Sequence, residues 1–223
     1  RPFGLGLITC QFFNATLFSL GVSIAPVALV LLGVATVPIF AAFFAFIILR
    51  EPTETKTWIA IGSVLCGLSV AVFTPENGHV QINIWSLLGA LAGLGVAISL
   101  SMSFVLIRHQ KTAPFLLAIG IGGLLSGLFG LLMTGLGNMA NGNIGYIIFT
   151  GIVILPTSFF LLSFAARYTH ASNVSLALLL ETVLGPLWVW MGTPERPTPM
   201  MLFGGFIVIL SLITYLILMR RQK

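Results

Sequence analysis

The sequence contains very little charge. Only 7% of its 223 residues are charged, with ten Lys and Arg and five Asp and Glu, whereas soluble domains carry about 25%. This deficit excludes an ordinary soluble domain. Aspartate is absent altogether, which excludes an Asp-based protease dyad and an Asp-dependent metal site. The basic residues are scattered singly and form no basic stripe, so we expect no nucleic-acid partner.

Other signatures of catalysis and metal binding are also missing. Cys10 and Cys66 lie inside apolar runs, which predicts buried free thiols rather than a disulfide framework or metal ligands. His79, His109 and His170 fall in separate loops, and neither H-E-x-x-H, a Walker loop nor G-x-S-x-G occurs. We therefore expect a protein that is not an enzyme and holds no metal or cofactor.

Long hydrophobic runs are what the sequence has instead. Hydrophobic residues make up 58% of the chain, and its mean hydropathy is +1.11. A helix that crosses the hydrocarbon core needs roughly 20 mostly apolar residues. The sequence thus predicts an all-α fold, a polytopic transmembrane helix bundle of about eight spans in a lipid bilayer. The predicted spans lie near residues 5–23, 27–49, 57–74, 84–107, 115–136, 144–164, 172–192 and 200–219.

The basic residues give an independent test of this span count, because Lys and Arg in short loops concentrate on the cytoplasmic side. Alternation over eight spans puts only Arg196 on the opposite side. The residues that share one side are Arg1, Arg50, Lys56, Arg108, Lys111, Arg167, Arg220, Arg221 and Lys223. We therefore predict an integral protein of a bacterial inner membrane whose C-terminus, with the basic tail 220–223, is cytoplasmic.

Two stretches of the chain share the same order of features. Residues 25–72 and 169–216 each contain a short break, an apolar span, a Glu with a neighbouring Pro, and a last span with glycine. Glu51 of the first stretch is assigned to the cytoplasm and Glu195 of the second to the outside. Related segments with opposite orientation form an inverted repeat, which is the architecture of many secondary transporters.

The same segments carry a resemblance to a known family. Arg167–Ser172 (RYTHAS), Leu180–Trp190 (LETVLGPLWVW) and Glu195–Pro197 (ERP) resemble the C-terminal EamA-type repeat of the drug/metabolite transporter superfamily. Val37–Ala42 and Arg50–Pro52 resemble its N-terminal partner. The resemblance implies ten spans, arranged as two inverted five-span repeats with both termini in the cytoplasm.

The resemblance also implies a division of the chain. Residues 1–74 would be the last three spans of the N-terminal repeat, and residues 84–219 the five-span C-terminal repeat. Because the chain begins with Arg1 rather than Met, we expect an N-terminally truncated sequence whose first two spans precede it.

The predicted function is secondary active transport. The resemblance implies export of a small organic metabolite or drug-like solute by alternating access, and proton coupling and a homodimer are open possibilities. A passive channel or facilitator, or a structural membrane helix bundle, is the alternative, because composition does not separate a fixed pore from alternating access.

Polar residues inside the predicted spans are the candidate site. Glu181 is the one carboxylate near the middle of a span, where a charge costs about 2.5–3.5 kcal/mol, so it is either a coupling or cation site or a structural glutamate. Gln11 and Asn14 share one helix face and either line a cavity or bridge helices. The further substrate candidates are Ser99, Ser103, Thr157, Ser158 and Trp188.

Prolines in or beside spans are candidate hinges, because each removes a helical hydrogen bond. They are Pro26, Pro38, Pro156 and Pro186, and ordinary packing kinks are the alternative. Arg167 either fixes topology or gates the cytoplasmic mouth.

Pairs of glycines spaced four residues apart predict close helix approach. The pairs are Gly89 with Gly93 and Gly123 with Gly127.

Overall fold

A computed structural model of the chain describes most of the predicted spans. It describes residues 2–25, 27–73, 84–110, 115–135, 144–170, 173–180, 184, 191 and 199–220. All secondary structure within these ranges is helical, which confirms the all-α prediction for the described part of the chain. The predicted eight-span inverted repeat stays a prediction.

The described helices overlap the predicted spans. They are α1 Pro2–Ile24, α2 Val27–Val34, α3 Val37–Phe44, α4 Thr55–Phe73, α5 Ile84–His109, α6 Phe115–Thr134, α7 Ile144–Phe149, α8 Leu155–Tyr168, α9 at residues 173–180, and α10 Pro199–Arg220. A π-helical turn, Ala45–Leu49, extends α3, and a second one, Thr150–Ile154, joins α7 to α8.

Four described helical segments are long and apolar enough to cross a membrane. They are Phe3–Ile24, Leu87–His109, Phe115–Thr134 and Thr150–Tyr168. Large apolar side chains on their outer surfaces, such as Leu124 and Leu132, are exposed, as expected where lipid is the solvent. These are the helices of an integral membrane protein.

The predicted span 27–49 is broken near its middle. The chain turns at Ala35 and Thr36, and the Thr36 hydroxyl donates to the Gly33 carbonyl at 2.6 Å. Pro38 follows within the first turn of α3, where its missing N–H costs nothing. Pro38 therefore begins a helix after a break rather than kinking a continuous one.

The buried apolar residues form two clusters. The larger one joins α1, α3, α5, α6 and α8, and the smaller one joins α4, α9 and α10 with Ala35 of the turn. We call α1, α2, α3, α5, α6 and α8 the main bundle and α4 with α10 the outer pair. Helix α9 bridges them, because Val174 belongs to the larger cluster and Leu176 and Leu179 belong to the smaller one.

Glycines allow α5 to approach its neighbours closely. A Cβ on Gly89 would collide with Ala25, and one on Gly93 would collide with the Val30 carbonyl of α2. The predicted packing role of this pair is therefore confirmed. A Cβ on Gly123 or Gly127 would meet no described residue within 4 Å, so this pair makes no close approach within the described part of the chain. The neighbouring Gly122 does, because its Cβ would lie 2.7 Å from the Ile8 carbonyl oxygen of α1.

Candidate functional site

The polar centre of the main bundle lies on α1. Leu7, Gln11 and Asn14 form one stripe of this helix, and all three are buried, with the two amides only 5% and 6% exposed. Their spacing of four and three residues puts them on one helix face, which packs against α5 and α6. The predicted shared helix face of the two amides is buried in the structure, and their role stays a prediction.

These amides differ from the other buried polar groups of the bundle. Neither Gln11 nor Asn14 forms a hydrogen bond with any described residue. Within the described ranges, however, every fully enclosed side-chain nitrogen or oxygen has a partner. Their polar atoms therefore keep some accessible surface. Since an unsatisfied polar group in hydrocarbon costs several kcal/mol, this pattern disfavours simple bridging between the described helices.

Hydroxyl groups near these amides are already satisfied. Ser103 donates to the Ser99 carbonyl of its own helix at 3.0 Å, and the hydroxyls of Thr16 and Ser126 bond across α1 and α6 at 2.9 Å. Serine and threonine often satisfy helix carbonyls in this way. Gln11 and Asn14 are therefore the stronger substrate candidates among the described residues.

Two other predicted site residues, Thr157 and Ser158, do not join this centre. Thr157 and Ser158 are exposed at the start of α8, and Pro156 stands in the first turn of that helix, directly after the π-helical turn. The structure does not bring this turn to Gln11. Four predicted residues lie outside the described residues, namely Pro26, Glu181, Pro186 and Trp188.

A charged cluster lies at one end of the bundle. The Arg108 guanidinium, in the last turn of α5, donates Nη2–H to Glu51 Oε1 at 2.8 Å and Nε–H to Glu51 Oε2 at 3.1 Å. His170 Nδ1 lies 2.8 Å from Glu51 Oε2. Because an ionised carboxylate only accepts hydrogen bonds, Nδ1 carries a proton in this arrangement. We call Glu51, Arg108 and His170 the charged cluster.

The backbone directs Glu51 toward its partners. The π-helical turn ends at Arg50, whose φ of 54° and ψ of 29° are left-handed, a conformation that costs roughly 1–2 kcal/mol for a residue with a Cβ. Arg50 itself is exposed and makes no ion pair with a described residue. The left-handed turn is thus used to reverse the chain before Glu51.

Electrostatics keep Glu51 ionised. Burial alone would raise the pKa of this carboxyl, but the hydrogen bonds and positive charge of Arg108, together with His170, outweigh burial and lower the pKa below its usual 4.5. The side chains of Arg108 and Glu51 are 15% and 31% exposed. The pair is therefore screened less than an exposed surface ion pair.

A second polar network lies nearby in the chain. The Tyr215 hydroxyl donates to Asn173 Oδ1 at 2.5 Å, and the Thr57 hydroxyl lies 3.0 Å from the Tyr215 oxygen. Tyr215 has one hydroxyl proton, which it gives to Asn173, so Thr57 is the donor to Tyr215. This network links α4, α9 and α10.

The charged cluster supports part of the predicted topology. Its contacts bring the loops after α3, α5 and α8 to one end of the bundle, as the distribution of basic residues predicted. Phe3 stacks on His109 with ring centroids 5.2 Å apart, and the Arg167 guanidinium lies 5.2 Å from the centre of the Phe115 ring. The start of α1, the end of α5, the start of α6 and the end of α8 therefore share this end. Which membrane face it occupies stays a prediction.

Sequence reasoning placed Arg108 on the same side of the membrane as Arg167, whose loop contains His170, but missed the contact of Arg108 and His170 with Glu51. A usable signal was present, because Glu51 is a carboxylate in a loop assigned to the same side as both cations. Opposite charges in neighbouring loops of an apolar protein are natural partners.

The described helices and their apolar surfaces define the class of an all-helical integral membrane protein. No three metal-binding side chains converge within the described ranges.

No family model matches the chain. The chain is 27% identical over 217 residues to the uncharacterized transporter YdfC of Bacillus subtilis (strain 168), covering 93% of this chain and 68% of that protein. A solved crystal structure superposes with a TM-score of 0.75 at 16% identity, covering 100% of this chain and 89% of its own, which shows the shared fold alone.

Proposed function

We propose that the protein is a secondary active transporter that exports a small organic solute by alternating access. The observation that carries this proposal is the pair of buried amides on α1, Gln11 and Asn14, which have no hydrogen-bond partner among the described residues and keep some accessible surface on their polar atoms. Amides in such a position offer both donors and acceptors to a polar solute. A purely structural bundle has no use for this arrangement and would be more stable without it.

The similarity to a Bacillus subtilis transporter supports the same class. The EamA-type inverted repeat of the drug/metabolite transporter superfamily is the architecture that we propose, on the residues that resemble it. In that architecture two related halves rock about a site near the middle of the membrane. Helix α1 has 23 residues, or about six turns. Gln11 lies between the two ends of this helix.

The test is counterflow in proteoliposomes that contain the purified chain. Vesicles loaded with an unlabelled solute are diluted into the labelled one, with a panel of L-amino acids and a cationic fluorescent dye as probes. A transporter accumulates label transiently by exchange, a channel conducts without exchange, and a scaffold does neither.

Matched variants connect the result to the site. Gln11→Leu and Asn14→Leu remove the amides at similar volume, and we expect each to reduce the rate of exchange at least tenfold. Thr9→Val is the control, because Thr9 is exposed on the same helix and bonds only to carbonyls of its own helix. Exchange that persists unchanged in both amide variants would reject this site.

Proton coupling is the finer part of the proposal and depends on Glu181. If this carboxyl carries the coupled proton, Glu181→Gln should retain counterflow and lose accumulation driven by a pH gradient. Gradient-driven transport that survives the substitution would make Glu181 a structural residue.

A further inference from the structure

The charged cluster occupies the places where the chain leaves the main bundle. Glu51 lies in the segment that runs from α3 of the main bundle to α4 of the outer pair. His170 lies between α8 of the main bundle and the bridging helix α9. Arg108, on α5, is the member of the cluster that belongs to the main bundle itself.

The backbone couples these residues to the elements that they precede. The His170 carbonyl accepts hydrogen bonds from the N–H groups of Asn173 and Val174, at 3.0 Å and 3.2 Å, and so forms part of the first turn of α9. Glu51 is four residues from the start of α4. A movement of α4 or α9 at this end must therefore move the cluster as well.

The second polar network ties the same two segments together. Thr57 follows Glu51 by six residues, Asn173 follows His170 by three, and Tyr215 of α10 connects them. The outer pair and α9 are thus joined by this network at the end where the charged cluster attaches both segments to Arg108. The network holds α4, α9 and α10 together, and the cluster ties the segments that lead into α4 and α9 to Arg108 of the main bundle.

We propose that Glu51, Arg108 and His170 form a latch that keeps this end of the molecule closed, and that breaking the Arg108–Glu51 pair lets α4 and α10 swing away from α5. Apolar contacts at Ala35 and Ile39, and those made through the bridging helix α9, also attach α4 and α10 to the main bundle. Lipid supplies little hydrophobic drive to press helices together, so a partly buried ion pair has a large share in holding this end. The latch is a property of the fold and holds whether or not the chain transports a solute.

The experiment measures the distance across this end by electron paramagnetic resonance. Spin labels are placed on Thr55→Cys and Gln110→Cys, both exposed, in a background with Cys10→Ala and Cys66→Ala, and the protein is reconstituted in lipid nanodiscs. Thr55 begins α4 and Gln110 directly follows α5. The pair therefore reports the separation of the outer pair from the main bundle.

We expect Glu51→Gln to raise the ratio of the longer to the shorter distance population about tenfold. Arg50→Gln is the matched control, since it removes a charge from the neighbouring exposed residue, which has no ion pair within the described part of the chain. The exchange Glu51→Arg with Arg108→Glu should restore most of the short population, because it rebuilds the pair with reversed charges.

Identical distance distributions in Glu51→Gln and Arg50→Gln would overturn the latch, and so would a charge exchange that rescues nothing. If Glu51→Gln does not give a monodisperse protein, Arg108→Lys decides in its place. Lysine keeps the charge but loses the two-pronged contact, so a latch predicts an intermediate rise of the long population and a merely structural charge predicts none.

Discussion

A single added methyl group at Gly33 tests the packing of the main bundle. In the structure, a Cβ on Gly33 of α2 would lie 2.6 Å from the Ala90 carbonyl oxygen and 2.8 Å from the Gly93 Cα of α5. Both of these are backbone atoms, which cannot turn aside as a side chain can. Gly33→Ala must therefore push α2 and α5 apart or strain one of them.

The size of the effect follows from this overlap. Ordinary contact begins at 3.4 Å, so the added Cβ would be about 0.8 Å too close to the Ala90 carbonyl oxygen. If α2 and α5 separate by this distance, the atoms along their contact lose roughly a quarter to a half of their dispersion energy. Overpacking costs about 1–3 kcal/mol, and the higher helix propensity of alanine returns up to about 1 kcal/mol. Because the contacted atoms are backbone, we take the cost at the upper end of this range, which leaves a net loss of about 2 kcal/mol, or roughly 4–8 °C in Tm for a chain of this size.

The assay is the thermal unfolding of the protein in one detergent, followed by tryptophan fluorescence and by loss of the monodisperse peak. Gly127→Ala on α6 is the control, because its Cβ would meet no described residue within 4 Å, and its Tm should stay constant or rise. If Gly33→Ala unfolds at the same temperature as Gly127→Ala, the close crossing of α2 and α5 is wrong.

Two further predictions concern the charged end. Tyr215→Phe and Thr57→Val should each lower the free energy of unfolding by about 1 kcal/mol. The double variant should lose clearly less than the sum, because both changes remove the hydrogen bond between these two side chains. Additive losses in Tm would contradict that bond. The stability advantage of the wild type over Glu51→Gln should be complete at and above about pH 5 and disappear as the pH falls through the lowered pKa of Glu51. Stability falls in acid because the folded state holds the ionised Glu51 carboxyl beside Arg108 and His170, whereas in the unfolded chain this carboxyl takes up a proton near pH 4.5. A stability difference between the wild type and Glu51→Gln that stays constant down to pH 3 would show that Glu51 has no net favourable partner.

Hydropathy predicted where helices exist because a span is a property of about 20 consecutive residues. It could not predict the break in 27–49, which contains no run of polar residues. The break depends on the Thr36 hydroxyl, which satisfies the Gly33 carbonyl, and on Pro38, which begins the next helix. Both are local hydrogen-bonding features that a hydrophobicity average removes.

The candidate site was predictable to the level of a helix face. Spacing alone placed Gln11 and Asn14 together, since residues three apart on a helix share a side. Whether an amide finds a partner depends on the neighbouring helices, which only the tertiary structure supplies. The glycine pairs illustrate the same limit, because Gly89 with Gly93 and Gly123 with Gly127 have the same spacing and, among the described residues, only the first pair meets another helix.

The position of the charged cluster explains why an ion pair can matter more than its own energy suggests. One apolar contact of the outer pair with the main bundle is at Ala35, in the turn between α2 and α3, whose cluster includes Val64 of α4. Val64 is seven residues from Thr57, or about 10 Å along the helix. Contacts close to Ala35 change little when α4 tilts about that point. The distance between Arg108 and Glu51, near the start of α4, changes by the full displacement of that helix end. Because ion-pair geometry tolerates little stretching before the hydrogen bonds are lost, the cluster resists small tilts and then releases, which is the behaviour of a two-state end rather than of a continuously flexible one.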